Sequence, residues 1–376
     1  MINAISYPFL QEYWWAIISL LGALLVFLMF VQGGQSLLYT IGKTKMQRTM
    51  LVNSLGRKWE FTFTTLVTFG GAFFASFPLF YATSFGGAYW VWMAILFSFI
   101  LQAVSYEFRS KPANFLGSKT YEVFLIINGL MGTILIGTAV GTFFNGAQFS
   151  LNDYNQVTWQ TEARGLEAVL NIHNVALGLS VFFLSRVLAL QYFDNTIDDK
   201  EINLRVRKQL WINSIPFLAF FLYFVIVLLL KDGFAYDPDT LDVSMERYKY
   251  WHNFMEMPLL FITFIIGVVL VVWGILSDMF FKPGKGIWYS GAGTIVTVFA
   301  LFLLAGYNNT CFYPSAFDIQ SSLNIRNSSS SEFTLGVMAI VSLLVPFVAA
   351  YIWYAWKAIN NKKIDENEMN EGGHKY

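Results

Sequence analysis

The chain has 376 residues, of which 56% are hydrophobic and only 13% are charged, compared with roughly 25% charged residues in an average soluble domain. This composition excludes a soluble globular protein and predicts an integral membrane protein. Lys plus Arg and Asp plus Glu both number 24, so the charge balance does not indicate a nucleic-acid partner. The single cysteine, Cys311, excludes a disulfide or a thiolate metal cluster within the chain.

Nine apolar segments are long enough to cross a bilayer, which takes about 20 helical residues. The first lacks the preceding cation and the cleavage site of a signal peptide, so we expect it to stay attached. The sequence predicts an all-α integral membrane protein with one polytopic domain over 1–360 and a short, charged, disordered cytoplasmic tail over 361–376. The segments lie near 14–39, 61–84, 87–106, 119–144, 167–193, 209–230, 257–281, 287–306 and 333–356.

Cations are distributed unevenly between the two sets of connecting segments. Since an excess of Lys and Arg marks the cytoplasmic side, we expect the N-terminus outside and the C-terminus inside, as an odd number of spans requires. The cation-rich set contains Lys43, Lys45, Arg48, Arg57, Lys58, Arg109, Lys111, Lys119, Lys200, Arg205, Arg207, Lys208, Lys282, Lys285, Lys357, Lys362, Lys363 and Lys375, and the other set contains Arg164, Lys231, Arg247, Lys249 and Arg326.

Three long loops, 145–166, 231–257 and 307–332, fall on the predicted outer side. The second is rich in acids but lacks the glycine at the sixth position and the closing Glu of an EF-hand, so a solvated loop is favoured over a calcium site. The Ser328–Ser331 run directly precedes an apolar segment. It is therefore predicted to contain a helix N-cap rather than to form a flexible linker.

Small residues in the fourth apolar segment predict close helix packing. Gly129, Gly132, Gly137 and Gly141 lie along it, and the last two form a GxxxG pair that lets a neighbouring backbone approach closely. The pattern leaves open whether that neighbour belongs to this chain or to another.

The three histidines do not form a recognisable metal or haem site. His374 is in the tail, His252 is in an outer loop, and His173 is near the start of the fifth segment. No two share a helix at the spacing of a di-His site. We expect His173 to be a hydrogen-bonded packing residue, with a haem ligand as its alternative role. No GxGxxG, Walker or GxSxG motif is present.

Polar residues gather near the predicted cytoplasmic ends of three consecutive segments. Gln32 and Gln35 share a face of the first segment because they are three residues apart, Glu60 follows Trp59 at the start of the second, and the third ends with Gln102, Glu107 and Arg109. This grouping predicts a hydrated entry for protons or ions. The competing interpretation is that Glu60 only favours the positive end of its helix dipole.

Three stretches resemble subunit II of the cytochrome bd quinol oxidases. They are RTMLVNSLGRKWEFTFTTLVTFGGAFFASFPLFYATSF (48–85), YEFRSK (106–111) and FYPSAFDIQSSLNIRNSSSSEFTLGVM (312–338). The similarity extends over nearly the whole chain, including the order and length of the segments.

The chain departs from the family pattern at several polar positions. Gly34-Gln35 replaces Gly-Phe-Asp, and Lys58-Trp59-Glu60 replaces His-Trp-Asp. Gln102 stands where the family commonly has Arg, and Glu107-Phe108-Arg109-Ser110-Lys111 replaces Asp-Tyr-Arg-Ser-Lys. A carboxylate is thus kept at Glu60 but lost at Gln35.

The resemblance implies two four-helix bundles plus one peripheral helix, paired with a similarly folded subunit I in a bacterial plasma membrane. It implies that subunit I holds two b-type haems and one d-type haem and oxidises quinol while O₂ is reduced to water, which builds a proton gradient. It also allows a structural quinone and a small single-helix accessory subunit. No residue of this chain is expected to be catalytic.

The expected role of this chain is to support subunit I and to conduct protons from the cytoplasm. Glu60 is predicted to gate the path, Gln32, Gln35 and Glu107 to line it, and Trp59, Arg109 and Gln102 to support it. Arg109 is expected to pair with Glu107 and to hold it ionised. Two alternatives stay open. One is a secondary transporter that uses the same inner-side polar site, although transporter sites usually lie near the midplane, and the other is a scaffold without a role in proton transfer.

Overall fold

The computed structural model describes residues 6–112, 114–281, 284–365, 368–369 and 376, and the structural statements below refer to these residues. Lys282, His374 and Lys375, which were considered above, lie outside the described residues. We call the face at which the first span ends at Gln35 the inner face and the opposite one the outer face, after the predicted orientation.

The described part of the chain is built from helices and contains two short β-hairpins, so the predicted all-α membrane fold is confirmed. The helices are α1 (Tyr7–Leu28), α2 (Phe30–Gln35), α3 (Leu38–Ile41), α4 (Lys45–Gly56), α5 (Trp59–Ser76), α6 (Pro78–Phe80), α7 (Tyr89–Phe108), α8 (Ser118–Asn145), α9 (Ile172–Thr196), α10 (Lys200–Leu230), α11 (Lys249–Glu256), α12 (Pro258–Leu276), α13 (Gly286–Gly306), α14 (Ile325–Ser328), α15 (Glu332–Ser342) and α16 (Val345–Ile359). The strands are β1 (Phe149–Leu151), β2 (Val157–Trp159), β3 (Gly233–Tyr236) and β4 (Val243–Glu246). Shorter helical turns cover Tyr81–Gly86, Leu166–Leu170, Ser277–Phe281 and Ile319–Ser321.

Among the described residues, seven helices are long and apolar enough to cross a membrane, and two bent pairs bring the number to nine if each counts as one span. In the first pair the chain turns by 119° between Lys45–Ser76 and Pro78–Gly86. Proline lacks the N–H that would continue a helix, so Pro78 begins a new helical segment. In the second pair α15 and α16 are bent by 42°. The seven unbroken spans are Tyr7–Gln35, Tyr89–Phe108, Ser118–Asn145, Ile172–Thr196, Lys200–Leu230, Pro258–Phe281 and Gly286–Gly306.

Helix α9 lies at the centre of the packing. It contacts α8, α10 and α2, while α13 packs between α12 and α1. The buried apolar side chains form two large clusters, one around Trp15, Phe73 and Phe312 towards the outer face and one around Phe30 and Tyr192 towards the inner face. These clusters fix the relative positions of the helices that carry the polar residues.

The GxxxG pair of α8 packs against α9 of the same chain, so the predicted close approach is confirmed. A Cβ atom added to Gly137 would lie 2.7 Å from the Cα atom of Gly178, and one added to Gly141 would lie 2.7 Å from the Cα atom of Asn174. These distances are too short for any other side chain. The question left open by the sequence is therefore decided in favour of an intrachain contact.

The outer loops fold over the outer ends of the helices. β1 pairs with β2 and β3 with β4, both antiparallel, and Cys311 is fully buried beneath the second hairpin. Ser331 caps α15 by accepting a hydrogen bond from the N–H of Thr334, as predicted for the serine run.

The described part of the tail is packed on the inner face, contrary to the expectation of disorder. The N–H of Ile364 donates to the carbonyl oxygen of Thr196 at 2.8 Å, and the N–H of Asp198 donates to the carbonyl oxygen of Ile364 at 2.9 Å. Glu368 forms an ion pair with Arg57. Backbone pairing and this charge pair outweigh the polar composition on which the expectation rested.

Candidate functional site

Three glutamine side chains meet in the interior near the inner face. Gln32 and Gln35 lie on α2 and Gln102 on α7, and all three are fully buried. The Nε2 atoms of Gln32 and Gln35 donate to the same atom, Oε1 of Gln102, at 2.6 Å and 2.7 Å. We call these three residues the amide cluster. The structure thus brings together side chains that are about 70 residues apart in sequence.

Several polar atoms of the amide cluster are buried without a hydrogen-bond partner among the described residues. They are Oε1 of Gln32, Oε1 of Gln35 and Nε2 of Gln102, and Oδ1 of Asn128 on α8 shares this property. Buried polar groups in native proteins are almost always hydrogen-bonded, either to protein or to ordered water. The amide cluster therefore has the chemistry of a site that is completed by water.

Tyr106 extends the amide cluster towards the inner surface. Its hydroxyl accepts a hydrogen bond from Nε2 of Gln35 at 3.1 Å, and its ring stacks on Trp59, with 5.6 Å between the ring centroids. Sequence analysis did not single out Tyr106. Its position four residues after Gln102 on the same helix face was the signal that could have identified it.

Glu60 lies outside the amide cluster, although it follows Trp59 directly. Its side chain is exposed and lines a cleft on the inner face together with Arg57, Thr64, Ile359 and Tyr376. Trp59 packs inwards on Tyr106, so the two neighbours face different surroundings.

Glu107 and Arg109 have different partners from those expected. Glu107 is exposed and forms an ion pair with Lys111 at 3.1 Å. Arg109 is buried and instead pairs with Glu122 of α8, with 2.8 Å between Nη2 and Oε1. The expectation that Arg109 holds Glu107 is therefore wrong. The reason is that the start of α8 brings a second, buried carboxylate next to Arg109.

Glu122 is the centre of an ionic network that the sequence analysis missed. Besides Arg109, its carboxylate accepts from Nε of Arg48 at 3.1 Å and from the hydroxyl of Tyr39 at 2.7 Å. Burial and the hydrogen bond to Glu122 raise the pKa of Tyr39, which lies between two spans. Because these groups come from α3, α4, α7 and α8, the network holds four segments together beneath the amide cluster.

Lys58 is a further buried charge, which the sequence predicted only as one of the cytoplasmic cations. Its side chain is fully buried, and its Nζ lies 4.3 Å from the centroid of the Trp356 ring. A cation over an aromatic face is stabilised by the ring quadrupole. Lys58 therefore fastens the last helix, α16, to the start of α5.

His173 is engaged on both sides of its ring. Nδ1 is 2.9 Å from Nδ2 of Asn145, Nε2 is 2.9 Å from the carbonyl oxygen of Phe224, and the ring stacks on Phe224. This geometry fits a packing residue and does not fit an axial haem ligand. His252 hydrogen-bonds to Glu246 in an outer loop. The described residues contain no group of three or more His, Cys, Asp or Glu that could hold a metal ion.

Comparisons with known proteins agree with the all-α membrane fold. Residues 10–359 match the family model described as cytochrome bd terminal oxidase subunit II. The chain belongs to this family. It is therefore a subunit of a terminal oxidase, which is an oxidoreductase complex.

Curated relatives cover almost the whole chain. The chain is 28% identical to a Haemophilus influenzae protein named probable cytochrome oxidase subunit 2, over 98% of this chain and 99% of that protein. It is 26% identical to cytochrome bd-I ubiquinol oxidase subunit 2 of Escherichia coli K12, over 97% and 98%. It is also 26% identical to cytochrome bd ubiquinol oxidase subunit 2 of Bacillus subtilis, over 83% and 85%.

Among solved structures, the chain resembles one chain of the bd oxidase from Geobacillus thermodenitrificans. The TM-score is 0.59 at 14% sequence identity, and the match covers 93% of this chain and 99% of that chain. This similarity supports the all-α membrane fold. Roles of individual side chains do not follow from it.

Proposed function

We propose that this subunit II supports a quinol oxidase in which a haem-bearing subunit I oxidises quinol and reduces O₂ to water. The proposal rests on two relatives that are named ubiquinol oxidase subunits, one matched over 97% and the other over 83% of this chain. The complex would lie in a bacterial plasma membrane. A structural quinone, a small accessory subunit and bound lipids stay predictions of the resemblance.

The proposal assigns two b-type haems and one d-type haem to subunit I. It is supported by His173, whose two ring nitrogens are already engaged, and by His252, which lies in an outer loop next to Glu246. The two histidines in the described part of the chain do not fit a haem ligand, so the part proposed for this chain is to shape the complex and to supply protons. A reduced-minus-oxidised spectrum of the purified complex tests the class, since it should contain the absorption of haem d. A complex without any haem signal would contradict it.

The amide cluster is the observation that supports a proton-uptake route. Its unpartnered buried atoms favour water between the three glutamines, and a chain of water and hydroxyl groups conducts protons. Amides can only orient water, because they do not titrate at neutral pH. A titrating group must therefore stand at the mouth of the route, and Glu60 in its cleft is the candidate carboxylate. Tyr106 and Trp59 lie between the cleft and the amide cluster.

The test of this route is Glu60→Gln, which keeps the size and hydrogen bonding of the side chain but removes its charge. We expect turnover to fall well beyond twofold while the haem spectrum and subunit assembly stay unchanged. Glu60→Asp keeps a carboxylate and introduces the Asp that is common in the family, so this variant should retain most activity. Glu201→Gln is the matched control because Glu201 is also an exposed inner-face carboxylate, paired with Arg205. Wild-type turnover of an assembled Glu60→Gln complex would exclude Glu60 as the gate.

The proposed orientation places the N-terminus outside and the C-terminus inside. Lys45 and Lys362 are both exposed on the inner face, so a single cysteine at either position should resist an impermeant thiol reagent in intact cells and react in inverted vesicles. Cys311 is fully buried and does not interfere. Labelling of either position in intact cells would reverse the orientation.

A further inference from the structure

A polar cavity lies at the outer ends of α7, α8 and α9, far from the amide cluster. It has a volume of about 190 Å³. Trp92, Trp159 and Tyr313 contribute aromatic walls, and Asn145, Asn174 and Glu167 contribute polar groups. The proposed proton route does not pass through this cavity, and the resemblance to the oxidase family assigns no role to it.

Glu167 provides a free acceptor in the cavity wall. Its Oε2 accepts from the N–H of Gly165 at 2.8 Å, whereas Oε1 is buried without a hydrogen-bond partner among the described residues. Glu167 also lies close enough to Tyr313 to act on it electrostatically. A buried carboxylate oxygen without a donor is costly, so the site is complementary to a group that brings donors and positive charge.

The neighbouring amides are already satisfied within the protein. Asn145 donates to Oδ1 of Asn174 at 2.6 Å, and Asn174 donates to the carbonyl oxygen of Ala168 at 3.2 Å. Nζ of Lys231 donates to Oδ1 of Asn145 at 2.6 Å and to the carbonyl oxygen of Phe144. Its ammonium group therefore caps the C-terminal end of α8. Glu167 is the single charged residue among those that line the cavity.

The aromatic walls of the cavity also favour an organic ammonium group as the ligand. Trp92 is held by stacking on Phe85, with centroids 4.0 Å apart, and the indole N–H of Trp159 donates to the carbonyl oxygen of Thr83 at 3.1 Å. Both rings are therefore fixed in place. Aromatic faces around a carboxylate are the surroundings that recognise organic ammonium groups. A metal ion fits less well, because the described residues provide a single carboxylate here and no further anionic ligand.

The surroundings of the cavity resemble the interface of a bilayer. Leu170, just before α9, and Ile172, the first residue of α9, are 85% and 74% exposed. Exposed apolar side chains at the end of a membrane span are placed to contact acyl chains. Arg164, three residues before Glu167, is exposed as well and provides a cation in the same loop. Together, the carboxylate of Glu167 and the guanidinium of Arg164 match a headgroup that carries both an ammonium and a phosphate.

We propose that this cavity binds the primary ammonium group of an aminophospholipid, with Glu167 as its counter-ion. The ammonium donates to Oε1 of Glu167 between the rings of Trp92 and Trp159. The acyl chains lie along Leu170 and Ile172. The proposed lipid site and the proposed proton route involve different residues. An experiment that disproves one of them therefore does not affect the other.

The experiment uses the purified oxidase complex, delipidated in detergent and titrated with phosphatidylethanolamine or phosphatidylglycerol while native mass spectrometry counts bound lipid. The wild-type complex should bind phosphatidylethanolamine more tightly than phosphatidylglycerol by roughly tenfold. Glu167→Gln should abolish this preference, and Glu167→Asp should retain part of it. Glu162→Gln is the matched control, because Glu162 lies in the same loop but is exposed, and it should keep the full preference.

The haem spectrum of each variant establishes that the complex is assembled before lipid binding is compared. Equal binding of the two lipids by the wild-type complex would overturn the proposal, as would an unchanged preference in Glu167→Gln. Soluble ethanolamine serves as a further probe. If it displaces phosphatidylethanolamine only at far higher concentration, the lipid is the source of the ammonium, and if it binds equally well without acyl chains, the lipid assignment is wrong.

Discussion

Gln102 is the acceptor shared by two buried amides, so its replacement by leucine is expected to destabilise the protein. Gln32 Nε2 would lose its acceptor entirely, whereas Gln35 Nε2 would keep Tyr106 at 3.1 Å. Stranding a buried donor costs about 1–3 kcal/mol. The leucine also removes Nε2 of Gln102, a buried donor without a partner among the described residues. The loss of this unsatisfied donor offsets part of the destabilisation. We therefore expect a net loss at the lower end of this range, about 1 kcal/mol in the free energy of unfolding.

Matched variants separate hydrogen bonding from packing. Gln102→Glu keeps the side-chain length and an oxygen that can accept from both amides, so it should be more stable than Gln102→Leu. In the double variant with Gln32→Leu the stranded donor is also removed. The two changes should therefore be non-additive, with a coupling of roughly 0.5–3 kcal/mol.

Stability is measured on the assembled complex as the loss of the haem spectrum during denaturant titration in detergent, with the oxidase activity recorded in parallel. Gln102→Leu should also slow turnover, because the water held by the amide cluster loses an orienting group. A Gln102→Leu complex with wild-type stability and strictly additive behaviour with Gln32→Leu would refute the hydrogen-bonded arrangement described here.

Glu122→Gln should destabilise the protein by about 3–5 kcal/mol, because the buried guanidinium group of Arg109 and the half-buried one of Arg48 would lose their shared anion; the denaturation midpoint checks this, and an unchanged midpoint would contradict the network. Gly137→Ala should cost about 1–3 kcal/mol through overpacking against Gly178, whereas Gly71→Ala, which meets no atom within 4 Å, should be neutral; equal thermal stability of the two variants would argue against the close approach. Burial raises the pKa of Cys311 to about 12, so its thiol should stay unreactive towards alkylating reagents at pH 8 until the protein unfolds. Since this pKa is raised above the ordinary value of 9.0, the corresponding stabilisation is complete below about pH 9 and declines as pH rises towards 12, which denaturation at several alkaline pH values would detect.

The sequence determined the class of the protein and the close packing of one helix pair. It predicted nine membrane segments, of which seven are unbroken helices among the described residues. Long apolar segments have few alternatives in a membrane, since every backbone polar group must be satisfied within the helix. The glycines at 137 and 141 indicated a close contact because only residues without a large side chain permit it. The helical period alone predicted that Gln32 and Gln35 lie on the same face of one helix. The family followed from stretches such as 312–338, whose composition is not dictated by membrane insertion.

Only the tertiary structure decided which polar groups meet. The sequence placed Glu60, Gln102 and Glu107 at one depth, but depth does not fix the direction in which a side chain points around its helix. In the folded protein Gln102 turns inwards to the amide cluster, while Glu60 and Glu107 are exposed. Arg109 pairs with Glu122 because α8 packs beside α7.

The cavity around Glu167 likewise depends on the fold. Its walls come from α7, from the β1–β2 hairpin and from the loop that contains Tyr313, which are separated by up to some 220 residues in the chain. Local sequence patterns report which segments become helices, since that choice depends on neighbouring residues. The contacts between side chains of distant segments depend on helix rotation, tilt and loop closure, and these are set by the packing of the whole chain.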